Sequence, residues 1–464
     1  MRRKSKQKTK TKTKAKEQEF VAMALVNPHA AGIDIGDTFH SVAVPEGVAT
    51  PCVRQFGAMT CDLEDLVAWL EACHIDTVGM ESTGVYWKPL FSLLIKHGFE
   101  VTLTNARQAR NVTGRKDDDG DARWIQKLHS CGLLKSSYLP EDEQEALRTL
   151  VRHRRTMTQD SSRCILRMQK AMELMNIKLH TIISDLTGKT GLAIVDAILA
   201  GERNAENFLP LVDGRIKADP SLIVKSLQGN WRPEQLFTLG ENYACYRFFQ
   251  QHIKVCETAI EQQLKQYEAS RNEGEIQQQE QPVINQESPR IKKKNKNAPF
   301  FNTRSYLERI HGVDVMAIYG LSELSALEIL AETGTDMTKW ATEKHFVSWL
   351  NLCPNNKITG GKLISSMLMK KKPNPASQAF RSAANAVQRS DHWLGDYFRR
   401  MKARGGNKYA IVATANKMAT IYYKMVRYKQ EFTPMDLNQY QQRYKQAKIA
   451  YLERKLQQLK NQAA

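Results

Sequence analysis

Residues 31–35 (AGIDI), 40–44 (HSVAV) and 53–56 (VRQF) set apolar side chains beside small or polar ones in short alternating runs, which predicts three strands. From residue 62 to 73 the period changes: Leu63, Leu66, Val67 and Leu70 recur at helical spacing. A strand over 77–81 (TVGME), a helix over 86–97 and a strand over 99–104 follow. A three-strand meander continued by alternating helices and strands predicts a mixed sheet with helices packed on it.

Beyond Pro140 the pattern is helical. Leu147, Leu150 and Val151, then Ile165, Leu166, Met168, Met172 and Met175, form an apolar stripe. A second stripe over 243–267 carries Phe248, Phe249, Ile253, Val255, Ile260 and Leu264. The two fit either a helical hairpin or a dimeric coiled coil, and periodicity does not separate them. Residues 271–297 lose the period, contain the run GEIQQQEQ and end in a basic run, as a linker does. Helical patterning resumes from 300 to about 428, and the last stretch is a polar helix rich in Gln, Lys and Tyr. The organisation expected is a basic arm over 1–27, an α/β domain over 28–140, a helical or coiled-coil region over 141–270, a linker over 271–299, a mostly helical domain over 300–430 and a polar C-terminal helix over 431–464.

Charge narrows the partner. Lys and Arg number 68 against 49 Asp and Glu in 464 residues, a formal charge of +19, which favours a polyanion over an acidic small molecule. No apolar run approaches the roughly 18 residues of a membrane span, and no apolar leader core stands near Met1, so a soluble, cytoplasmic, nucleoid-associated protein is expected. The opening arm, with Lys or Arg among Ser, Thr and Gln, has no apolar face to offset ordering; it either contacts phosphates or solubilises the chain. The 8 cysteines are scattered without a CxxC pair, which argues against structural zinc and for reduced, buried thiols.

Six carboxylates bear on chemistry. Asp34 lies inside the apolar strand AGIDI, where an ionised carboxylate is costly unless a cation or donors compensate it. Glu81 ends the strand TVGME, ahead of the Ser-Thr-Gly turn that opens the next helix. GRKDDDGDARWIQKL brings Asp117, Asp118, Asp119 and Asp121 to a helix start, with Asp118 and Asp121 three apart on one turn. Two divalent ions about 3.5–4 Å apart would relieve the repulsion of such a set and orient a phosphodiester, and Mg²⁺ suits all-oxygen ligands. Singly, each acid also fits a plainer role: Asp34 as a cap, Glu81 at a helix N-terminus, the Asp run as a solvated face.

The stretches GIDIGDTFHSVAV, MESTGVYWKPL and NARQARNVTGRKDDDGDARWIQKL resemble the three motif blocks of the DEDD transposases of the insertion sequence 110 family. The resemblance implies a RuvC-like, that is ribonuclease-H-like, N-terminal domain with the metal-binding tetrad Asp34, Glu81, Asp118 and Asp121. Asp117 and Asp119 match positions that vary in that pattern. YLERIHGVDVMAIYGLSELS, FVSWLNLCPNNKITGGKLISS and ASQAFRSAANAV resemble the family's C-terminal transposase domain. That domain implies a hydroxyl nucleophile acting with the acids, and a bridge RNA that selects target and donor DNA. Where the family pattern has serine before a glycine pair, this chain has Thr359, whose β-methyl restricts its rotamers and crowds an attacking oxygen. Ser365 and Ser366 are alternatives, and a hydrogen-bonded Thr in a tight turn is the plainer reading.

Gly360 and Gly361 would let backbone approach phosphate, with Lys357 and Lys362 supplying charge. Lys370, Lys371, Lys372, Arg399, Arg400, Lys402 and Arg404 are further phosphate contacts or simply surface. Residues 310–331, helical on both sides of Gly312, resemble a helix-hairpin-helix or a generic helical turn. Trp124, Trp340, Trp349 and Trp393 fit core better than base stacking. The expectation is an α/β plus α recombinase that uses Mg²⁺ or Mn²⁺ to cut and rejoin DNA, guided by a bridge RNA and assembled as a homo-oligomer, dimer or tetramer. A Holliday-junction nuclease would need the acids without the hydroxyl, and a non-catalytic nucleic-acid-binding protein would need only the charge.

Overall fold

The computed structural model of the chain describes residues 25–82, 84–104, 118–136, 140–274, 297–368 and 374–463. The basic arm up to residue 24, Asp117, most of the linker, and Lys370, Lys371 and Lys372 lie outside the described residues. Two compact units divide the chain, Met1–Leu139 and Pro140–Ala464.

The first unit is built on a five-stranded sheet. β1 (Ala30–Ile35), β2 (Phe39–Ala43) and β3 (Val53–Gly57) form an antiparallel meander. β4 (Thr77–Glu81) pairs with β1 in parallel, and β5 (Glu100–Thr104) pairs with β4 in parallel. The spatial order β3-β2-β1-β4-β5 puts β1 at the centre. This is the ribonuclease-H-like mixed sheet that the resemblance implies, and the strands fall within a residue or so of the alternating runs in the sequence.

The pleat sorts the side chains between two faces. Ile33, Ile35, Val42, Val78, Met80 and Leu103 turn to one side, where α1 (Thr60–Ala72) and α2 (Trp87–Lys96) close a core with Leu63, Leu66, Leu70, Leu90 and Leu94. The opposite face carries glycines, and on it lies α3 (Asp118–Ser130). A Cβ on Gly32 would stand 2.1 Å from the Gln126 backbone nitrogen and 2.5 Å from the Ala122 carbonyl oxygen. Only a residue without a side chain lets a helix lie this close to a strand.

Hydrogen bonds fix the direction of α3. Gln126 Nε2 donates to Ala30 O at 3.2 Å, and Ser130 O accepts from the amides of Val26 and Asn27. The Thr77 hydroxyl donates to Glu100 O at 2.9 Å, which leaves His129 Nε2, 2.8 Å away, to donate to Thr77. The C-terminal half of α3 therefore sits where β1 and β4 begin. The helix runs antiparallel to β1, and its first turn reaches the edge where β1 and β4 end.

The second unit opens with a long helical pair. α4 (Asp142–Leu174) buries Leu147, Val151, Arg154, Met157, Ser161, Cys164, Met168 and Ala171, a residue every three or four, against α7 (Pro233–Gly274) of the same chain. Between them, α5 (Lys189–Leu199) and α6 (Pro220–Ser226) close a core around Met168, Met172, Ile194, Phe208, Leu227 and Leu239. Arg154 is buried on the seam and donates to Glu257 Oε1 from Nε at 2.8 Å and from a terminal nitrogen at 2.6 Å. That nitrogen also donates to Asn297 O, while Glu257 Oε2 accepts the Phe300 amide. A single buried ion pair thus ties together α4, α7 and the chain entering the C-terminal helices.

Those helices are α8 (Thr303–His311), α9 (Glu323–Thr333), α10 (Glu343–Trp349), α11 (Pro375–Ala386), α12 (Trp393–Tyr428) and α13 (Leu437–Ala463). Their core holds Phe346, Phe380, Phe398, Tyr422 and Tyr423, with buried His311 bonded to the Tyr422 hydroxyl at 2.8 Å. Trp340 and Trp393 are buried, and Trp124 and Trp349 half-buried. Glu332 of α9 is also buried and receives Arg148 and Arg152 of α4. Gly312 ends α8 in the left-handed conformation (φ 69°), but α9 does not start there: a short 3-10 turn, Val315–Ala317, intervenes. Among the described residues no helix is long and apolar enough to cross a membrane.

Candidate active site

The sheet register places the first two acids side by side. Ile33 partners Met80 across the parallel β1–β4 ladder, so Asp34 and Glu81 occupy the next rank. The same rank continues outward, since Asp34 partners Ser41, Ser41 partners Gln55, and Glu81 partners Thr104. A polar row, Gln55–Ser41–Asp34–Glu81–Thr104, therefore crosses all five strands on the glycine face. Neighbouring strands lie about 4.8 Å apart, so Asp34 and Glu81 are adjacent carboxylates. Asp34 is half-buried and Glu81 is buried at 8% exposure.

The third and fourth acids come from α3. Its Ala122 carbonyl lies over Gly32. Asp34 is two residues further along β1, roughly 6.6 Å, and Asp118 is one helical turn before Ala122, about 6 Å along the helix axis. Running in opposite directions from the same crossing point, the two paths end at one edge of the sheet. Asp118 opens α3, its carboxylate lying outside the described residues together with that of Asp119. Asp121, in the same turn, is exposed. Among the described residues no three His, Cys, Asp or Glu side chains form a group able to hold a metal ion. The donor set is nevertheless of the right kind, because hard carboxylate oxygens beside Ser, Thr and Gln suit Mg²⁺ or Mn²⁺ rather than zinc. Ser41, Gln55 and Thr104 were not legible as neighbours of the acids from sequence, since only the register brings them into the rank.

Thr359 belongs to the second unit. It is the last residue of β6 (Asn355–Thr359), which pairs antiparallel with β7 (Lys362–Met367). Gly360 and Gly361 make the two-residue turn with φ of 54° and 73°, a pair of positive values that glycine adopts without strain. Thr359 partners Lys362 and Lys357 partners Ser365, so the hydroxyl shares one face of the ribbon with both lysines. Thr359, Lys357, Gly360, Gly361 and Lys362 are all exposed. Ser365 is half-buried, and the Ser366 hydroxyl donates to Asn356 Oδ1 at 2.8 Å. The turn around Thr359 is thus a hairpin, an element that a Gly-Gly pair between alternating runs signals.

The remaining basic residues divide. Lys402 and Arg404 are exposed, close to the break in α12 at Gly406. Arg400 instead lies 4.5 Å over the Tyr440 ring and 3.9 Å over the Tyr444 ring, with Asp396 at 3.0 Å, and so fastens α13 to α12. In the segment around Gly312 the His311 carbonyl is occupied by Lys429 Nζ at 2.7 Å.

Two family models match the chain. The DEDD-type IS110 model, described as a transposase, matches residues 31–177, and the model of the transposase IS116/IS110/IS902 family matches residues 314–399. The first match contains the acid rank and all of α3, the second the whole β6–β7 hairpin. None of the curated proteins compared matches the chain.

Proposed function

Since the chain belongs to the IS110 family of transposases, and is on that ground a DNA recombinase, we propose that Asp34, Glu81, Asp118 and Asp121 hold Mg²⁺ or Mn²⁺ and that Thr359 is the nucleophile. The observation that carries the metal reading is the placement of Asp34 and Glu81 in one rank with the first turn of α3 at the same edge. Bound there, a divalent ion would neutralise charge on the scissile phosphate and its leaving oxygen. The carboxylates of Asp34 and Glu81 would orient that phosphate.

In the proposed step, Thr359 Oγ1 attacks phosphorus and loses its proton to water or a carboxylate. The bond from phosphorus to the leaving sugar oxygen breaks, and that oxygen takes a proton from water and leaves as a hydroxyl. A second DNA strand end then reverses the exchange and frees Thr359. Lys357 and Lys362, on the face of the hairpin that carries Thr359, would hold the flanking phosphates. The β-methyl of threonine restricts the attack geometry and makes this step slower than with serine.

The family relationship and the net charge of +19 also support a guide, a bridge RNA encoded by the element, bound by a homo-oligomer in the cytoplasm. On this proposal residues 28–140 carry the acids and 300–430 the nucleophile. Cleavage of a synthetic element end by the full chain is the test. Asp34→Asn and Glu81→Gln are expected to reduce it at least about 10³-fold, and Thr359→Ala to abolish the covalent protein–DNA species. Cleavage surviving in Thr359→Ala while Asp34→Asn is inactive would make the chain a metal nuclease of the junction-resolving kind. Sequencing nucleic acid that copurifies with the protein tests the guide.

A further inference from the structure

The hairpin β6–β7 has a second face. Ile358 partners Leu363 across the ribbon one rank from the Gly360–Gly361 turn, on the side opposite Thr359 and Lys362. Ile358 is 64% exposed and Leu363 58%, and Ile364, the extra residue where the register shifts, is 67% exposed. A two-stranded ribbon is marginal in water, and an apolar tip this open needs a surface to enter. The sequence that contains the hairpin selects the occupant. From Lys344 to Ser390 the chain contains no Asp or Glu, while Lys or Arg stands at 344, 357, 362, 370, 371, 372, 381 and 389. An apolar tip set in a wholly cationic segment is complementary to a polyanion with a stack of apolar faces inside it, which is duplex DNA.

We infer that the Ile358–Leu363 pair is a wedge that enters a base step of duplex DNA and unstacks it, while Lys357 and Lys362 hold the backbone beside it. Aliphatic side chains inserted between base steps act in this way in architectural DNA-binding proteins. The space beside the turn is open, since a Cβ at Gly360 or Gly361 would meet nothing within 4 Å. The wedge rests on the proposal that this hairpin works at the exchange point. Because wedge and hydroxyl lie on opposite faces, separate substitutions test them.

The probe is a DNA duplex with a central TA step whose purine is 2-aminopurine, since such steps unstack most readily. Adding the full chain is expected to raise the fluorescence several-fold. Thr359→Ala should leave that rise intact even if strand exchange stops, so a failed nucleophile assignment does not touch the wedge. The double variant Ile358→Ser, Leu363→Ser should lose the rise. Because phosphate contacts carry affinity for the backbone, its binding by anisotropy is expected to stay within about threefold of the parent. That retained binding excludes misfolding as the cause, and the conservative pair Ile358→Leu, Leu363→Ile should keep the signal, which ties it to apolar character. A rise retained by the serine variant, no rise with the parent chain, or a rise seen only with an RNA duplex would overturn the inference. So would a drop in oligomer mass on sedimentation of the serine variant, which would make this face a contact between copies of the chain.

Discussion

Gly32→Ala probes the link between packing and chemistry most sharply. The new Cβ would lie 2.1 Å from the Gln126 nitrogen and 2.5 Å from the Ala122 carbonyl oxygen. Ordinary heavy-atom contact is about 3.5–4.0 Å, so α3 must move off the sheet by roughly 1.5 Å or β1 must buckle. Both obstacles are backbone atoms, which do not step aside as a flexible side chain can. The cost is expected near the top of the ~1–3 kcal/mol range for overpacking. The same shift would carry the first turn of α3 away from Asp34 and Glu81, and a 1 Å misplacement at a reacting centre costs about 10²-fold in rate. Urea unfolding followed by tryptophan fluorescence gives the first quantity, and cleavage of a labelled element end under saturating DNA the second. Gly214→Ala, where nothing lies within 4 Å of the added Cβ, is the matched control. A Gly32→Ala protein with parental stability and parental cleavage would refute the claim that α3 sets the geometry of the acid edge.

Three further outcomes follow from particular contacts. Glu257→Ala leaves Arg154 buried with its charge unpaired, and is expected to cost about 3–5 kcal/mol; replacing both residues with Met should recover most of that in the same urea experiment. His40 and His129 are buried, and burial holds both imidazoles below their ordinary 6.5, with a backbone hydrogen bond at His40 and the Glu100 charge near His129 opposing the shift. The unfolded chain therefore takes up protons first as pH falls, so the stability due to the neutral rings is present above about 6.5 and lost below it. Urea midpoints that do not fall between about pH 7 and about pH 5.5, or that fall equally in His129→Gln, would contradict this. Thr359→Ser is expected to raise the rate of the covalent step with little change in KM, because it keeps the hydroxyl and removes the methyl; an unchanged rate would show that the methyl does not obstruct attack.

The N-terminal sheet was legible because each strand is a short run of apolar or alternating positions bounded by a period change. Asp34 and Glu81 stood out for the same reason, as charges inside or at the end of apolar runs. What the sequence lacked was register: Ser41, Gln55 and Thr104 join the acids only through the pairing of neighbouring strands, which periodicity alone does not set. In the second unit the apolar stripes of α4 and α7 fitted a pair within the chain as well as one between chains, and the buried Arg154–Glu257 pair shows them packed within it. The Thr359 segment read as a tight turn although its Gly-Gly pair between alternating runs is a hairpin signal, because its strands are exposed on both faces and no buried apolar face reinforces that signal. Arg400 read as one more surface cation, and the two tyrosines that enclose it lie some 40 residues further along the chain.

Uptake of divalent cation by the carboxylate edge is the property on which the proposed chemistry depends. Mn²⁺ titration of the full chain, with free ion read by electron paramagnetic resonance, measures this without needing any DNA substrate. Saturable uptake by the parent chain that falls sharply in Glu81→Gln and in Asp118→Asn is the result predicted. Equal uptake by all three proteins would show that these residues do not form a metal site, and the proposed chemistry would fail with it.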